Sequence, residues 1–402
     1  MTENIKICPG YKFAGVHCGL KADAALDLAL LLSDCPAVAA AVFTKNRFPA
    51  APVLYGRQQL AAGSDLSAVL INSGNANACT GHQGEIDVVT VVEVLGAALK
   101  LSPAEIFISS TGVIGEPFPV TTVLNGVETL VTSLEGENSP QESLTAAARA
   151  IMTTDRVAKI VGIEVETSHG LVTLTGIAKG AGMIQPNMAT MLAYLLTDAE
   201  VDRQAWQAIL RRVVDKSFNR ISVDGDMSTN DTVLALANGV SGCCLTSASD
   251  LDILENGLLR VARELALMIV KDGEGATKVV EIMVVGAANS DAAETICRAV
   301  ANSALVKTAF FGQDANWGRI IAAVGYAGIE IDPELVNVSF DQVRVVTGGL
   351  RDPHYREDDG AAVLRQSEFM VKIDLQSGED EFTLLTCDLT HDYISINADY
   401  RS

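Results

Sequence analysis

The sequence predicts a layered α/β fold in which sheets pack on one another and are flanked by helices. Segments with helical spacing alternate with strand-like segments along all 402 residues. Hydrophobic residues make up 49% of the chain and charged residues 20%, which is enough apolar material for a large core. There is no short repeat, and many strand pairings must be non-local, so layered sheets and helices are expected. The length suits two or three domains or one large two-lobed unit.

Five elements are predicted in the first third of the chain. Apolar residues at helical spacing predict a helix over Lys21–Ser33, and acids in the first turn support a helix over Glu85–Leu101. Short β-compatible runs predict strands over Ala37–Phe43, Ala68–Asn72 and Glu105–Ser109.

Two polar turns follow two of these strands. The stretch 72–81 is rich in asparagine and glycine, which tolerate positive φ and expose backbone amides. Ser110-Thr111-Gly112 leaves the next strand, and a turn of this composition can point N–H groups outward, where they stabilise an oxyanion. An ordinary strand-end turn is the alternative interpretation.

The middle of the chain leads to a glycine loop. Ser139 as N-cap and Pro140 at the first helical position predict a helix through Met152. Residues 161–178 alternate as two strands. The run Lys179–Ala193 then enters an apolar stretch whose hydroxyl near the entry is Thr190. Such a threonine is ordinarily a strand residue. If the preceding peptide bond is cut, however, it carries a hydroxyl and a basic amine together, which activates a weak nucleophile.

The second half continues the mixed pattern. Helices are predicted at 198–218, 248–272, 291–304 and 316–324, and strands at 279–285, 336–346, 368–375, 382–389 and 392–397. The polar loop 219–232 resembles a calcium loop at its start. Thr229 and Ala235 stand where such a loop needs glycine and a bidentate acid, so we expect no metal there.

Composition excludes several classes of protein. With 29 basic and 50 acidic residues the net charge is −21, which argues against binding to nucleic acid and to anionic membrane surfaces.

Cysteines, targeting signals and catalytic motifs narrow the classes further. Eight scattered cysteines without C-x-x-C indicate reduced, buried thiols. There is no signal-peptide pattern and no long apolar run, so we expect a soluble, cytoplasmic protein. Walker A, H-E-x-x-H and G-x-S-x-G motifs are absent from the sequence, and we expect no metal and no cofactor.

Six stretches, taken together, resemble the ornithine acetyltransferase family. They are Asn72–Gly81, Ser110–Gly115, Lys179–Thr190, Ser217–Thr232, Asp314–Arg319 and Asn397–Ser402. They span essentially the whole chain in the family's order, which makes the combination very specific. Gln185 stands where the family has a smaller residue, and Arg156 and Val157 also differ from the commoner residues.

The resemblance implies a self-cleaving enzyme of the N-terminal-nucleophile type. The precursor would cleave itself between Ala189 and Thr190 into an α chain, residues 1–189, and a β chain, residues 190–402, which assemble as a heterotetramer. The new terminal threonine would take the acetyl group of N²-acetyl-L-ornithine, releasing L-ornithine. It would then pass the acetyl group to L-glutamate, giving N-acetyl-L-glutamate for arginine biosynthesis by a ping-pong mechanism. Some members also use acetyl-CoA as donor.

The resemblance also assigns roles to residues. Thr190 matches the nucleophile, and Thr111 and Gly112 match the oxyanion hole. Positions that contact substrate are matched by Thr153, Lys179, Thr190, Glu274, Asn397 and Ser402. An ornithine ammonium calls for a carboxylate such as Glu274, and the substrate carboxylates call for a cation such as Lys179. A solvated surface pair is the alternative for these two residues.

Two other functions remain open from the sequence. An N-terminal-nucleophile amidohydrolase or aminopeptidase would use water in place of glutamate. A non-catalytic relative would serve as a binding or assembly protein. The sequence does not decide between Thr153 and Thr154 as the substrate contact, nor whether acetyl-CoA is a donor, nor whether an end product inhibits.

Overall fold

The structure is a computed structural model that describes residues 5–185 and 191–399. The chain forms two compact units. The first comprises the residues up to Asn219 together with Asp226–Ile269, and the second comprises Arg220–Gly225 together with the chain from Val270 onward. These units do not test the predicted division into 1–189 and 190–402, which concerns cleavage of the chain and stays a prediction.

The first unit is built on a mixed sheet. Its strands are β1 (Tyr11–Val16), β2 (Leu28–Phe43), β3 (Leu66–Asn75), β4 (Ile106–Val113), β5 (Lys159–Thr167), β6 (Gly170–Lys179), β7 (Leu192–Thr197), β8 (Glu200–Val201), β9 (Thr232–Ala237) and β10 (Cys244–Leu245). Its helices are α1 (Ala51–Ala61), α2 (Gly81–Leu99), α3 (Val120–Ser133), α4 (Pro140–Ala150), α5 (Arg203–Asp215) and most of α6 (Ala248–Lys271). The main sheet runs β4-β3-β2-β9-β7-β6-β5, with β1 paired to β2.

The long strand β2 joins two halves of this sheet. Its first part pairs with β3, and its second part pairs with β9. Side chains alternate along it, because successive residues of a strand face opposite sides. Leu28 and Leu30 lie in a core shared with α2 and α3. Ala29 and Leu31 lie in a second core that also contains residues of β6, β7 and β9. The two halves of the sheet therefore pack on each other through this second core, and α2 and α3 cover the outer face of the first half.

Helices also cover the outer face of the second half. The indole N–H of Trp206 on α5 donates to the carbonyl of Ala235, 3.1 Å away. Gly176 on β6 faces α6 so closely that a Cβ there would lie 2.8 Å from the side chains of Leu265 and Val261. The predicted layered sandwich of sheets flanked by helices is confirmed.

The second unit has its own sheet and core. Its strands are β11 (Val279–Ala287), β12 (Asn337–Phe340), β13 (Val343–Thr347), β14 (Leu350–Arg351), β15 (Glu368–Asp374) and β16 (Asp380–Cys387), in the order β14-β13-β12-β15-β11-β16. Its helices are α7 (Ser290–Ala301), α8 (Ala304–Phe311), α9 (Trp317–Gly325), α10 (Glu357–Leu364) and α11 (His391–Asp399).

Several predicted elements are confirmed. The helix from Pro140 forms as α4, and Ser139 caps it by accepting the amide of Glu142. Residues 161–178 form the β5–β6 hairpin, and α6 matches the predicted helix to within one residue. The helices α1, α3, α8 and α10 were not predicted from the sequence.

Two predicted elements are wrong. Lys21–Ser33 is not a helix, because a turn precedes Leu28, where β2 begins. The buried carboxylate of Asp27 accepts the amides of Cys18 and Leu20, which closes that turn. Both faces of the following strand are buried, so its apolar run carries no strand period. Residues 392–397 are not a strand but lie in α11, at whose start the hydroxyl of Thr390 accepts the amide of Tyr393.

All eight cysteines are free, as predicted. The expectation that they are buried is wrong for Cys79 and Cys244, which are exposed, and Cys18 and Cys35 are half-buried. Cys79 sits at φ +59 in the turn after β3.

Candidate active site

The predicted oxyanion residues end the parallel pair β3–β4. Gly112 is in register with Gly74 and has a φ of +131, a conformation that L side chains rarely adopt. A Cβ at Gly112 would overlap Gly74 and lie 2.6 Å from the amide nitrogen of Asn75. The close approach of the two strands therefore requires glycine at this position, and it brings Thr111 to a buried position at the end of β4.

Lys179 brings three predicted site residues together. It is the last residue of β6 and is buried. Its Nζ donates to Oγ1 of Thr153 at 2.9 Å and to Oγ1 of Thr111 at 3.3 Å. These three residues come from separate segments of the chain. The contact falls on Thr153, so the geometry favours Thr153 over Thr154 as the member of this group.

A buried carboxylate supports the lysine. Oδ1 of Asp155 accepts from Nζ of Lys159 at 2.7 Å and from the amide of Gly180 at 2.7 Å, while Oδ2 accepts the amide of Thr153 at 3.0 Å. Burial acts to raise the pKa of Asp155, but the charges of Lys179 and Lys159 outweigh it and lower the pKa to about 2. Asp155 is therefore ionised and fixes the segments on both sides of the site.

The predicted nucleophile and cleavage site, Thr190 and Ala189, lie outside the described residues. The described chain resumes at Met191, whose amide donates to Oδ1 of Asp231 at 2.8 Å. Leu192 is in register with Lys179 in the antiparallel pair of β6 and β7. The strand that follows Thr190 in the sequence thus begins directly beside the lysine group.

The second unit brings two other predicted residues together. Nδ2 of Asn397 on α11 donates to Oε2 of Glu274 at 2.7 Å. Glu274 precedes Gly275, whose φ is +70 and whose carbonyl accepts the hydroxyl of Thr390 at 2.8 Å. Ser402 lies outside the described residues. Glu274 and Lys179 are both buried, so the alternative that they are solvated surface residues is wrong.

Three residues of this site were not predicted: Asp155, Lys159 and Asp231. Asp155 follows the predicted helix through Met152, and an acid four residues before a lysine is a sequence signal for an ion pair. Asp231 lies in the polar loop 219–232, whose start resembles a calcium loop. Within residues 5–185 and 191–399, no cluster of His, Cys, Asp or Glu is arranged to hold a metal ion. The same part of the chain contains no helix long and apolar enough to cross a membrane.

Fold and site together define a layered α/β enzyme in which buried lysine, threonine and glycine residues converge where several strands end. A model of the ArgJ family matches residues 12–402. The chain belongs to the ArgJ family, which confirms the resemblance stated from the sequence.

Similar proteins agree with this assignment. The arginine biosynthesis bifunctional protein ArgJ of Geobacter sulfurreducens is 48% identical over 396 residues, covering 98% of this chain and 99% of its own. The protein of the same name from Desulfotalea psychrophila is 45% identical over 395 residues, with the same coverage. A crystal structure of arginine biosynthesis bifunctional protein ArgJ from Bacillus halodurans is 37% identical, with a TM-score of 0.50, and covers 52% of this chain and 100% of its own.

Proposed function

We propose that this chain transfers the acetyl group of N²-acetyl-L-ornithine to L-glutamate through an acyl-enzyme formed on Thr190. Membership in the ArgJ family confirms the predicted class, an acyltransferase of arginine biosynthesis that acts on small molecules. It favours transfer over the amidohydrolase and over the non-catalytic alternative. The observation that carries the proposal is the buried group in which Lys179 contacts both Thr153 and Thr111.

The reaction has two half-reactions. The hydroxyl oxygen of Thr190 attacks the acetyl carbonyl, and its proton passes to the leaving amine as the amide bond breaks and ornithine departs. The α-amine of glutamate then attacks the resulting ester, and the threonine hydroxyl is restored. Each attack passes through a tetrahedral oxyanion, for which Thr111 and Gly112 supply the donors. One well-placed donor of this kind is worth about 3–4 kcal/mol of barrier.

Substrate recognition follows from charge. The α-carboxylates of both amino acids bind Lys179 and Thr153, because a buried ammonium beside a hydroxyl suits a carboxylate. The ornithine ammonium binds Glu274, whose carboxylate is held by Asn397. Ser402 completes the substrate contacts. Glutamate carries a carboxylate in place of the ammonium, so the two substrates make different use of Glu274.

The same proposal covers maturation of the chain, its assembly and its acetyl donors. The chain matures by cleaving itself at Ala189–Thr190, and the α and β chains, residues 1–189 and 190–402, assemble as a heterotetramer in the cytoplasm. The enzyme needs no metal or cofactor, and acetyl-CoA serves as a second acetyl donor. The term "bifunctional" in the relatives' names supports this last point.

The experiment combines mass spectrometry with an acetyl-transfer assay. Purified wild-type protein should give two fragments, the second starting at Thr190. From acetylornithine alone it should release at most about one ornithine per active site, because the acyl-enzyme then waits for glutamate, and continued turnover should require glutamate. Thr190→Ala should remain one chain and transfer nothing, whereas Thr121→Ala on the surface of α3 should behave like the wild type. Full activity from an uncleaved chain, or transfer by Thr190→Ala, would overturn the mechanism. Repeated turnover of acetylornithine at the same rate with and without glutamate would favour the amidohydrolase.

A further inference from the structure

The loop before β9 contains two adjacent buried polar residues to which neither the resemblance nor the proposed function gives a role. Asn230 and Asp231 are 6% and 2% exposed. Each makes hydrogen bonds to a distant part of the first unit. Buried polar side chains that hold backbone groups so far apart in sequence fix those groups relative to each other.

Asn230 holds the oxyanion turn. Its Nδ2 donates to the carbonyl of Ser110 at 2.8 Å and to the carbonyl of Ala76 at 2.6 Å. Its Oδ1 accepts the hydroxyl of Thr229 at 2.6 Å, so both ends of the amide are engaged. The carbonyl of Ser110 and the N–H of Thr111 belong to one planar trans peptide and point in opposite directions. Holding the carbonyl therefore orients the N–H.

Asp231 holds the chain where it leaves Thr190. Its Oδ1 accepts the amide of Met191, which belongs to the peptide bond that follows Thr190 in the sequence. The carbonyl of Met191 accepts the amide of Thr232 at 3.1 Å, so residue 191 is held on both sides. The Asp231 side chain and the backbone beside it thus fix the first described residue after the nucleophile.

The other oxygen of Asp231 is unusual. Oδ2 is buried and has no hydrogen-bond partner among the residues that the structure describes. The neighbouring hydroxyl of Thr44 donates to the carbonyl of Ser228 at 2.8 Å. Burial raises the pKa of Asp231 well above its ordinary value, although the Met191 amide, the Thr44 hydroxyl and the charge of Lys179 act in the opposite direction. An unpaired buried polar atom destabilises a fold, so stability alone does not account for an acid at this position.

We propose that Asn230 and Asp231 are a positioning pair that holds the oxyanion turn and the nucleophile in register, through Ser110 and Met191 respectively. The pair acts on the backbone and does not touch substrate. Because the two residues are adjacent in the chain, a backbone movement that shifts the hydrogen bond of Asn230 to Ser110 also shifts that of Asp231 to Met191. This inference rests on the proposed function of Thr190, Thr111 and Gly112.

The variants separate positioning from folding. Asp231→Ala removes the acceptor for the Met191 amide, while Asp231→Asn keeps an amide oxygen in its place. Asn230→Asp keeps the volume but removes both donors. Asp250→Ala is the matched control, since Asp250 is also 2% exposed and also accepts a backbone amide, that of Ser168 at 2.9 Å. Folded protein is quantified by circular dichroism, and kcat, KM and the rate of fragment formation are measured.

Asp231→Ala and Asn230→Asp should each lower kcat by roughly 100-fold with little change in KM, because a displacement of about 1 Å costs that much. Both should slow the formation of the two fragments. Asp231→Asn should recover kcat to within about tenfold of the wild type, since its oxygen can accept the same amide. Asp250→Ala should lose stability and keep kcat per folded molecule.

Unchanged kcat in folded Asp231→Ala, or no recovery in Asp231→Asn, would overturn the proposal. If Asp231→Ala does not fold, Asn230→Asp decides in its place, and an unchanged kcat there has the same meaning. Wild-type protein that cleaves but transfers no acetyl group would refute the proposed function alone. In that case the rate of fragment formation still tests the pair, and equal rates in wild type and Asp231→Ala would refute it.

Discussion

Nζ of Lys179 lies 2.9 Å from Oγ1 of Thr153, although the two residues are 26 positions apart and lie at the ends of different elements. The contact exists because Lys179 ends β6 while Thr153 follows α4, and Asp155 holds both segments by accepting the amides of Gly180 and Thr153. A carboxylate of substrate placed here would meet a cation and a hydroxyl together.

Lys179→Met should weaken binding of both amino-acid substrates. Loss of one charge-assisted hydrogen bond predicts a rise in KM of roughly 10- to 100-fold for acetylornithine and for glutamate. Lys159→Met is the comparison variant, because Lys159 pairs with Asp155, the carboxylate whose pKa the charge of Lys179 also lowers. Breaking its buried pair should cost Lys159→Met about 3–5 kcal/mol of unfolding free energy, but this variant should change KM much less than Lys179→Met. Equal effects on KM would refute a substrate role for Lys179.

Gly112→Ala should slow both half-reactions. A Cβ at this position collides with Gly74, so the turn that carries the oxyanion donors must move. Loss of one donor predicts a kcat lower by about 100-fold or more. Gly115→Ala is the control, since Gly115 also has a positive φ, +84, but has nothing within 4 Å of the added Cβ. Steady-state kinetics distinguish the two, and a wild-type kcat in Gly112→Ala would remove this turn from the mechanism.

Glu274→Gln should affect the two substrates differently. The carboxylate matches the ammonium of acetylornithine and has no such partner on glutamate. We expect KM for acetylornithine to rise by roughly 10- to 100-fold and KM for glutamate to change by less than about threefold. Asn397→Ala should weaken the same substrate as well, because it removes the hydrogen bond that orients Glu274. Glu281→Gln on β11 serves as control, and parallel rises in both KM values would contradict the assignment.

The ion group around Asp155 predicts a pH dependence. The pKa of this carboxyl is lowered to about 2 in the folded protein, mainly by the charges that offset its burial. A lowered pKa stabilises the fold above the unfolded value of about 4, and this stabilisation is lost as pH falls towards 2. The difference of about two pKa units corresponds to about 2–3 kcal/mol.

Hydrogen–deuterium exchange can follow this loss. Protection of the peptide containing Gly180 against exchange, corrected for the intrinsic exchange rate, should fall between about pH 4 and pH 2. This loss should occur at a higher pH than the loss of protection in the interior of α6. Lys159→Met removes one of the two charges, so the fall should begin at higher pH in that variant. Protection that stays constant to pH 2, or a midpoint that Lys159→Met does not move, would contradict the account.

Sequence patterns alone predicted much of the fold. The helix α4 was predicted because Ser139 and Pro140 mark its start, and α6 because its amphipathic spacing is long and regular. The predictions failed where local pattern is ambiguous. Leu28–Leu32 could be a helix or a strand, because both faces of β2 are buried. Asn397 lies in a helix whose first turn depends on the distant contact of Thr390 with Gly275.

For the site, the sequence by itself determined the family and the candidate residues, because six motifs in order specify a chemistry that single motifs do not. It also supplied a reason for each residue type: a cation for carboxylates, a carboxylate for an ammonium, glycine for a tight turn. Only the tertiary structure decided which residues meet. Strand register sets Lys179 beside Leu192, and sheet packing brings it to Thr111 and Thr153. Asn230 and Asp231 became visible only there, because hydrogen bonds between residues up to 154 positions apart leave no local pattern in the sequence.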